Sequence, residues 1–541
     1  MLAPGPRLAG PLTLITALSL GLSVTLLVLG MDQAVAVLAA CFLLLAGFAV
    51  TVRIINRTAE IVYLLVIWIF AQDFLIMLVS QVVPSSTVQW TGNILIGAKE
   101  LLAVGTVAVL WLRRKSSSKN QVTADRLAMG LICYVAMFVI IPNQFLKGAT
   151  IPLLEKIIAA RGLAILPVLY LLGRWLPLRA NDLNRFIRFL MIIGAVSLFS
   201  GIVLTALPAS VWHQLGLYQL CAAKWGAATA RILAFQVGGF PANFWFPDFP
   251  ESIVPSPGIR RLSSLIVDPI ASGLVFATLL LIAAAVRKRG RFDVWMLLFG
   301  VGTLLTFSRG GMLVTGMGYV FLKIKRLRLG LILGIVILLS AFSGYSILLP
   351  FSVGISGTLN RGPALLGGLA FTLDHPMGRG IGSSGFLTRV RTGAREGEDM
   401  LEREGLTPFA LESFVGIIGL QTGIIGILLF LGFLVKLISR LYQVYVEQKK
   451  QDPVLGRTGL AMAGVMAGLL LTSIVSSSGY GFAGVGLAYL LAGLTINQSL
   501  SAHTASPSMM AGPFPIQQRI MLPRQSHPHA RERFPSISRK S

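Results

Sequence analysis

The stretch FDVWMLLFGVGTLLTFSRGGMLVTGMGYVFLKIKRLR, residues 292–328, decides the class of this chain. Two apolar runs flank Ser308-Arg309-Gly310-Gly311, and the second closes on Lys323, Lys325, Arg326 and Arg328. Neither run reaches the roughly 20 residues of a full bilayer crossing, so the pair reads as two short membrane helices joined at a charged turn. Lys and Arg collect on the cytoplasmic turns of membrane proteins. With Lys323 to Arg328 on that side, Arg309 falls on the opposite one, where a positive charge needs a separate reason. An anionic partner would supply it.

The rest of the chain repeats the pattern. It is 55% hydrophobic and 12% charged, and its long apolar runs lack the alternating segments of about 10 residues that mark an outer-membrane barrel. The fold class is therefore all-α and polytopic. Span length and basic flanks place helices near 11–30, 32–52, 60–82, 92–112, 126–142, 151–172 and 186–207. The second half adds 263–286, 291–307, 310–322, 329–350, 411–435, 457–475 and 480–497. The total is about 14 transmembrane helices, with 12 to 14 as the range. Arg53 and Arg57, Arg113 to Lys119, Arg174 to Arg188, Arg287 to Arg291 and Lys436 to Lys450 share one side if both termini are cytoplasmic. Residues 1–260 then hold the N-terminal helices and a first external segment, 261–435 a core with a large external loop at 351–408, 436–500 the C-terminal helices, and 501–541 a basic tail.

A net charge of +25 raises the question of nucleic acid. The charge is spread over short turns rather than gathered on one soluble face, so no nucleic-acid partner is expected. The tail from Ala502, rich in Pro, Ser, His and Arg, has the composition of a disordered segment, either a solvated tail or a contact for anionic lipid. Cys41 and Cys133 lie inside expected spans, which leaves Cys221 alone outside and no disulfide framework. The five His show no metal-ligand spacing, no internal repeat is visible, and the first apolar run reads as a retained span.

Two external segments are long enough for chemistry. The first, 208–262, carries Trp212, Tyr218, Trp225, Phe240, Phe244, Trp245, Phe246 and Phe249, read foremost as an interfacial aromatic belt. It ends in Arg260-Arg261 and leads to Asp268-Pro269, making Arg261 with Asp268 a candidate pair. The second carries Arg361, Arg379, Arg389, Arg391, Arg395 and Arg403 but no lysine. Guanidinium meets phosphate oxygens in a planar, two-pronged way, so such a set suits a diphosphate. Between Thr388 and Glu404 acids alternate with the arginines, which fits a solvated helix better; Arg361 and Arg379 have fewer acids nearby. Asp374-His375-Pro376-Met377-Gly378-Arg379-Gly380-Ile381-Gly382 offers backbone that can approach a ligand closely, or an ordinary turn. Inside the membrane, Lys99, Glu100 and Arg161 would each cost about 2.5–3.5 kcal/mol facing lipid. They must face the bundle, either in a working site or in structural pairs such as Lys99 with Glu412 and Arg161 with Glu155.

These residues resemble a family: the O-antigen ligases and the related O-antigen and exopolysaccharide polymerases. Thr306-Phe307-Ser308-Arg309-Gly310 is similar to its Thr-x-Ser-Arg-Gly signature, and Arg261 with Asp268-Pro269 to the element upstream. His375-Pro376 to Gly382 resembles the His-Pro-x-x-Gly-x-Gly motif. Glu412-Ser413-Phe414 with Gln421-Thr422-Gly423 is similar to the element that opens the next helix. Ligases usually carry His-Asn where this chain has Glu412-Ser413, so it resembles the polymerase branch more than the ligase branch.

The resemblance implies a bundle of the GT-C type and a metal-independent inverting glycosyltransferase without cofactors, in the bacterial inner membrane. The loop 351–408 would be periplasmic. The donor would be a polyprenyl-diphosphate-linked glycan, the surroundings membrane lipid, and the neighbours other polysaccharide export proteins. Arg309, Arg261, Arg361, Arg379 and Arg161 would hold the diphosphate. Glu412 would act as general base, with His375 the alternative, and Asp268, Asp374 and Lys99 in support. A multi-span transporter or flippase is the competing class.

Overall fold

The computed structural model describes residues 58–82, 88–113, 122–146, 148, 150–178, 182–225, 230–231, 238–241, 244–246, 258–287, 293–325, 328, 370–383, 413–475 and 481–505. The spans expected at 11–30, 32–52 and 329–350, most of the loop 351–408 including Arg361, Glu412, and the tail beyond Ala505 lie outside the described residues.

The described chain is helical apart from one two-residue antiparallel pairing, Trp245–Phe246 with Ile259–Arg260. We number the helices α1 (Thr58–Val82), α2 (Val88–Arg113), α3 (Thr123–Ile140), α4 (Leu153–Trp175), α5 (Asp182–Ala206), α6 (Ala209–Gln214), α7 (Leu217–Trp225) and α8 (Pro269–Val286). The remainder are α9 (Val294–Leu305), α10 (Arg309–Ile324), α11 (Phe414–Gln448), α12 (Pro453–Val475) and α13 (Gly486–Ala505). Eight of them are long and apolar enough to cross a membrane: α1 to α5, α8, α11 and α12. The expectation of two short helices around Arg309 is met, since α9 has 12 residues and α10 has 16.

Three sequence expectations shift. The span placed at 263–286 starts at Pro269, because Asp268 accepts a hydrogen bond from the Ile270 N–H at 3.0 Å and caps the helix, with proline at the first position. The span placed at 411–435 runs on to Gln448, so Lys436 and Arg440 sit on a helical extension rather than in a turn. The span placed at 480–497 runs from Gly486 to Ala505 and takes in the first residues of the expected tail.

Helix ends sort into two sets. At one end, which carries Arg174, Arg287, Lys323, Lys325 and Arg440, Arg457 donates to Ala284 O and Arg287 O, and the Tyr442 hydroxyl donates to Lys325 O. At the other end Gln81 donates to Gln214 O, Leu262 N to Leu305 O, and Asn143 to Ile381 O. In lipid, helices associate through close backbone approach and buried polar contacts rather than through apolar burial. Small residues accordingly mark the tightest crossings: a Cβ on Gly493 of α13 would overlap the Tyr170 carbonyl of α4.

Candidate functional site

The end opposite the basic turns is built around helix N-termini. Ser308 caps α10 by accepting from Gly311 N at 3.2 Å, and its hydroxyl donates to Ile270 O at 3.2 Å, which holds the start of α10 against the start of α8. Ser413 caps α11 by accepting from Gly416 N at 3.2 Å and donates to Ser473 O at 3.4 Å, near the end of α12. The neighbouring Thr472 packs on Gly310. The last turn of α12 thus joins the starts of α8, α10 and α11.

The His375 to Gly382 segment docks into a kink of α11. Gly423 breaks the helix at φ 71° and ψ −166°, a backbone region essentially reserved for glycine. The freed carbonyls of Leu420 and Gln421 accept from Arg379 N (2.8 Å) and Gly380 N (3.1 Å), and Ile424 N donates to Pro376 O at 2.9 Å. Gly378, at φ 69°, leaves no room for a Cβ, which would lie 2.7 Å from Gly423 N. His375 stacks on Phe371, ring centroids 4.3 Å apart, and the Arg379 guanidinium lies 4.9 Å from the same ring. Asp374 is exposed.

Beside these elements lies a cavity of about 410 Å³, lined from α1, α2, α4, α7, α8 and the Gly481–Gly484 turn. It gathers Asp73, Lys99, Glu100, Arg161, Lys224 and Asp268. Lys224 Nζ meets Asp73 Oδ1 at 2.8 Å, Arg161 Nε meets Glu100 Oε2 at 3.3 Å, and Val267 N donates to Asp73 Oδ2 at 3.2 Å. Burial pulls the Lys224 ammonium toward neutrality, but the charge and hydrogen bond of Asp73 and the charge of Asp268 outweigh it, so its pKa sits above the ordinary lysine value. Asp268 is raised by burial, against the opposing pull of Lys224, the Ile270 N–H and Arg261. Burial pushes the Cys221 thiol up to about 12, which keeps it protonated and unreactive.

Of the residues expected from sequence, Lys99, Arg161 and Asp268 line this cavity, while Arg261, Arg309, His375, Asp374 and Arg379 lie at the same end without lining it. The proposed Arg161 to Glu155 pair is replaced by Arg161 with Glu100: six residues along a helix is not the three-or-four spacing that brings side chains onto one face. The aromatic belt is likewise corrected. Trp212, Phe240 and Phe244 are buried against one another and against α1 and α7, with Arg260 stacked 4.0 Å from the Phe240 ring. The sequence reading leaves out Asp73, although a lone carboxylate in the apolar run Ile69-Phe70-Ala71-Gln72-Asp73-Phe74-Leu75 is the same signal that singles out Lys99. Lys224 gave no such signal, because it lies in the segment 208–262 read as external, where a charge is expected.

No protein-family model matches the chain, and no curated protein matches it.

Proposed function

We propose that this membrane protein is a glycosyltransferase that polymerises polyprenyl-diphosphate-linked oligosaccharide repeat units into an exopolysaccharide or O-antigen. One observation carries the reading: stretches far apart in residues 261–426 come together in two pairs at the end opposite the basic turns. Leu262 and Ile270 meet Leu305 and Ser308, His375 to Gly382 meets Leu420 to Ile424, and the end of α12 touches Gly310 and Ser413, at the start of the helix that carries the second pair.

In this reading the reaction runs at the periplasmic face of the bacterial inner membrane, within about 14 spans and with both termini cytoplasmic. Arg309, Arg261, Arg379, Arg361 and Arg161 neutralise the diphosphate as it departs, which requires cations placed where charge develops. Glu412 takes the proton of the acceptor hydroxyl, with His375 the alternative base. Membrane lipid surrounds the site, and other polysaccharide export proteins take the product.

The test is the size distribution of lipid-linked glycans in cells lacking the protein, compared with cells carrying wild type, Arg309→Ala or Glu412→Gln. Single repeat units facing the periplasm in all three defective strains support a polymerase. Long lipid-linked chains would make it a ligase.

A second reading, a transporter or flippase of lipid-linked glycan, draws on the cavity itself. Asp73 lies nine residues from the end of α1, roughly 14 Å into the bundle, and matched charges at such depth commonly mark transport pathways. Repeat units trapped on the cytoplasmic face would favour it.

A further inference from the structure

Among the described residues, the cavity lining holds three cations, Lys99, Arg161 and Lys224, and three carboxylates, Asp73, Glu100 and Asp268. They are matched inside the protein: Lys224 pairs with Asp73, Arg161 pairs with Glu100, and Lys99 lies in the fields of Glu100 and Asp73. Asp268 lies in the fields of Lys224 and Arg261. The formal charge of this lining is therefore zero. Its hydrogen-bonding capacity is not used up by the pairing, because each ammonium and guanidinium carries more donors, and each carboxylate more lone pairs, than one ion pair engages. Gln72 is an independent sign of a ligand. It is 6% exposed, lines the cavity next to Asp73 in α1, and its side-chain oxygen has no hydrogen-bond partner among the described residues. A buried amide oxygen left unpaired is costly, and a native fold retains one where a ligand completes it.

We infer that the cavity binds an uncharged sugar residue, whose hydroxyls take up the spare donors and acceptors of the ion pairs and the orphan oxygen of Gln72. The inference rests on the glycan reading, which makes this sugar part of the lipid-linked repeat unit. Charge balance sets the selectivity. A carboxylate or an amine carried into a lining that is already neutral loses its water without gaining a counter-charge, and competes with one of the existing pairs. A hydroxyl both donates and accepts, so it fits between a cation and a carboxylate without breaking either pair. Phe244, 3% exposed, with Ile266 and Val267 gives apolar wall for the C–H face of a ring. A volume of about 410 Å³ lies within the usual range of small-molecule pockets. The diphosphate has a separate place in this arrangement. Arg261, Arg309 and Arg379 lie at the same end outside the lining. Asp268 joins the two regions: it lines the cavity and caps α8, whose first turn holds Ser308, next to Arg309, through Ile270 O.

Calorimetry on the full-length protein, purified in detergent, would compare glucose with glucuronate and glucosamine, and galactose with galacturonate and galactosamine. In at least one series the neutral sugar should bind about tenfold or more tightly than either charged analogue. Two variants tip the balance in opposite directions. Glu100→Gln leaves the lining with excess positive charge and should shift the preference toward the uronate, whereas Lys99→Gln leaves excess negative charge and should shift it toward the amine. A merely structural role for these residues would not move preferences with opposite signs, and if one variant fails to fold the other still gives its sign. Gln72→Leu should weaken the neutral sugar several-fold and melt no lower than wild type, because the oxygen removed had no partner. Tightest binding by a charged sugar, a preference unmoved in both charge variants, undiminished binding by Gln72→Leu, or no neutral sugar bound at millimolar concentrations would each overturn the inference. The glycan profiles of the Arg309→Ala strain read the polymerase proposal separately. Sugar binding by a protein whose loss leaves chain length unchanged would keep the site and sink the polymerase; accumulated single repeat units without sugar binding would do the reverse.

Discussion

The bundle buries ion pairs at both ends, and the two sets are finished differently. Near the basic end, Asp125 and Arg174 are 4% and 5% exposed, with Nε and Oδ2 3.4 Å apart. The carboxylate also accepts from the Tyr170 hydroxyl at 2.7 Å and from Val122 N at 3.3 Å. Three groups of the protein thus meet that carboxylate, and Asn497 ties the neighbouring carbonyls of Gly173 and Leu176 to α13. At the other end Lys224 and Arg161 are each 24% exposed and their pairs open onto a cavity, where Lys99 lies in the fields of Glu100 and Asp73. The first network is buried between helices, whereas the second faces a void. Location in the membrane alone would not have separated the two.

The largest effect expected on this contrast comes from Asp125→Ala. It strands a buried arginine and a tyrosine hydroxyl, and should cost about 3–5 kcal/mol. Thermal unfolding in detergent, or the yield of folded protein, would show it. Gly423→Ala comes next, because the kink backbone excludes a side chain and an added Cβ would overlap Pro376 O; the backbone strain alone is roughly 1–3 kcal/mol. Release of the His375 to Gly382 segment should appear as faster proteolysis between Pro376 and Gly382, at a site protected in wild type. Asp73→Ala should cost less than Asp125→Ala, about 1–2 kcal/mol, since the cavity lets water reach Lys224. Equal losses from the two aspartates would erase the distinction between a closed and an open network.

The smallest effects concern residues on or next to the cavity wall. Gly97→Ala meets nothing within 4 Å in α2 and should be neutral or stabilise by up to about 1 kcal/mol through helix propensity. Cys221, with a thiol pushed up to about 12, is protonated at neutral pH. Its labelling by maleimide in a Cys41→Ser, Cys133→Ser background should therefore be slow at pH 7 and rise roughly tenfold for each pH unit well below that value. Fast labelling at pH 7 would mean that the cavity is wetter and more polar than its lining implies.

Several features were legible in the sequence because each rests on a local pattern. Apolar run length fixed α1 to α5 within a few residues, whereas the caps at Asp268-Pro269 and Ser308, a local signal, went unread and the span at 263–286 starts too early. Lys99 and Arg161 stood out because an ionisable group in an apolar run must face inward, and both do. The partner of Arg161 was not legible. Glu100 and Arg161 are brought together by the packing of α2 on α4, and no spacing along the chain encodes that crossing.

What the sequence by itself determined is a polytopic helical membrane protein with one basic end and a set of Gly- and Arg-containing turns at the other, because the bilayer imposes length, polarity and charge sidedness one segment at a time. The tertiary structure alone decided that Trp212, Phe240 and Phe244 are core rather than belt, that the His375 to Gly382 segment fills the kink at Gly423, and that Asp73 pairs with Lys224. Each of those facts depends on which helices touch. Contacts between helices are set by close backbone approach and the matching of buried polar groups across hundreds of residues, and these leave no periodicity in the chain.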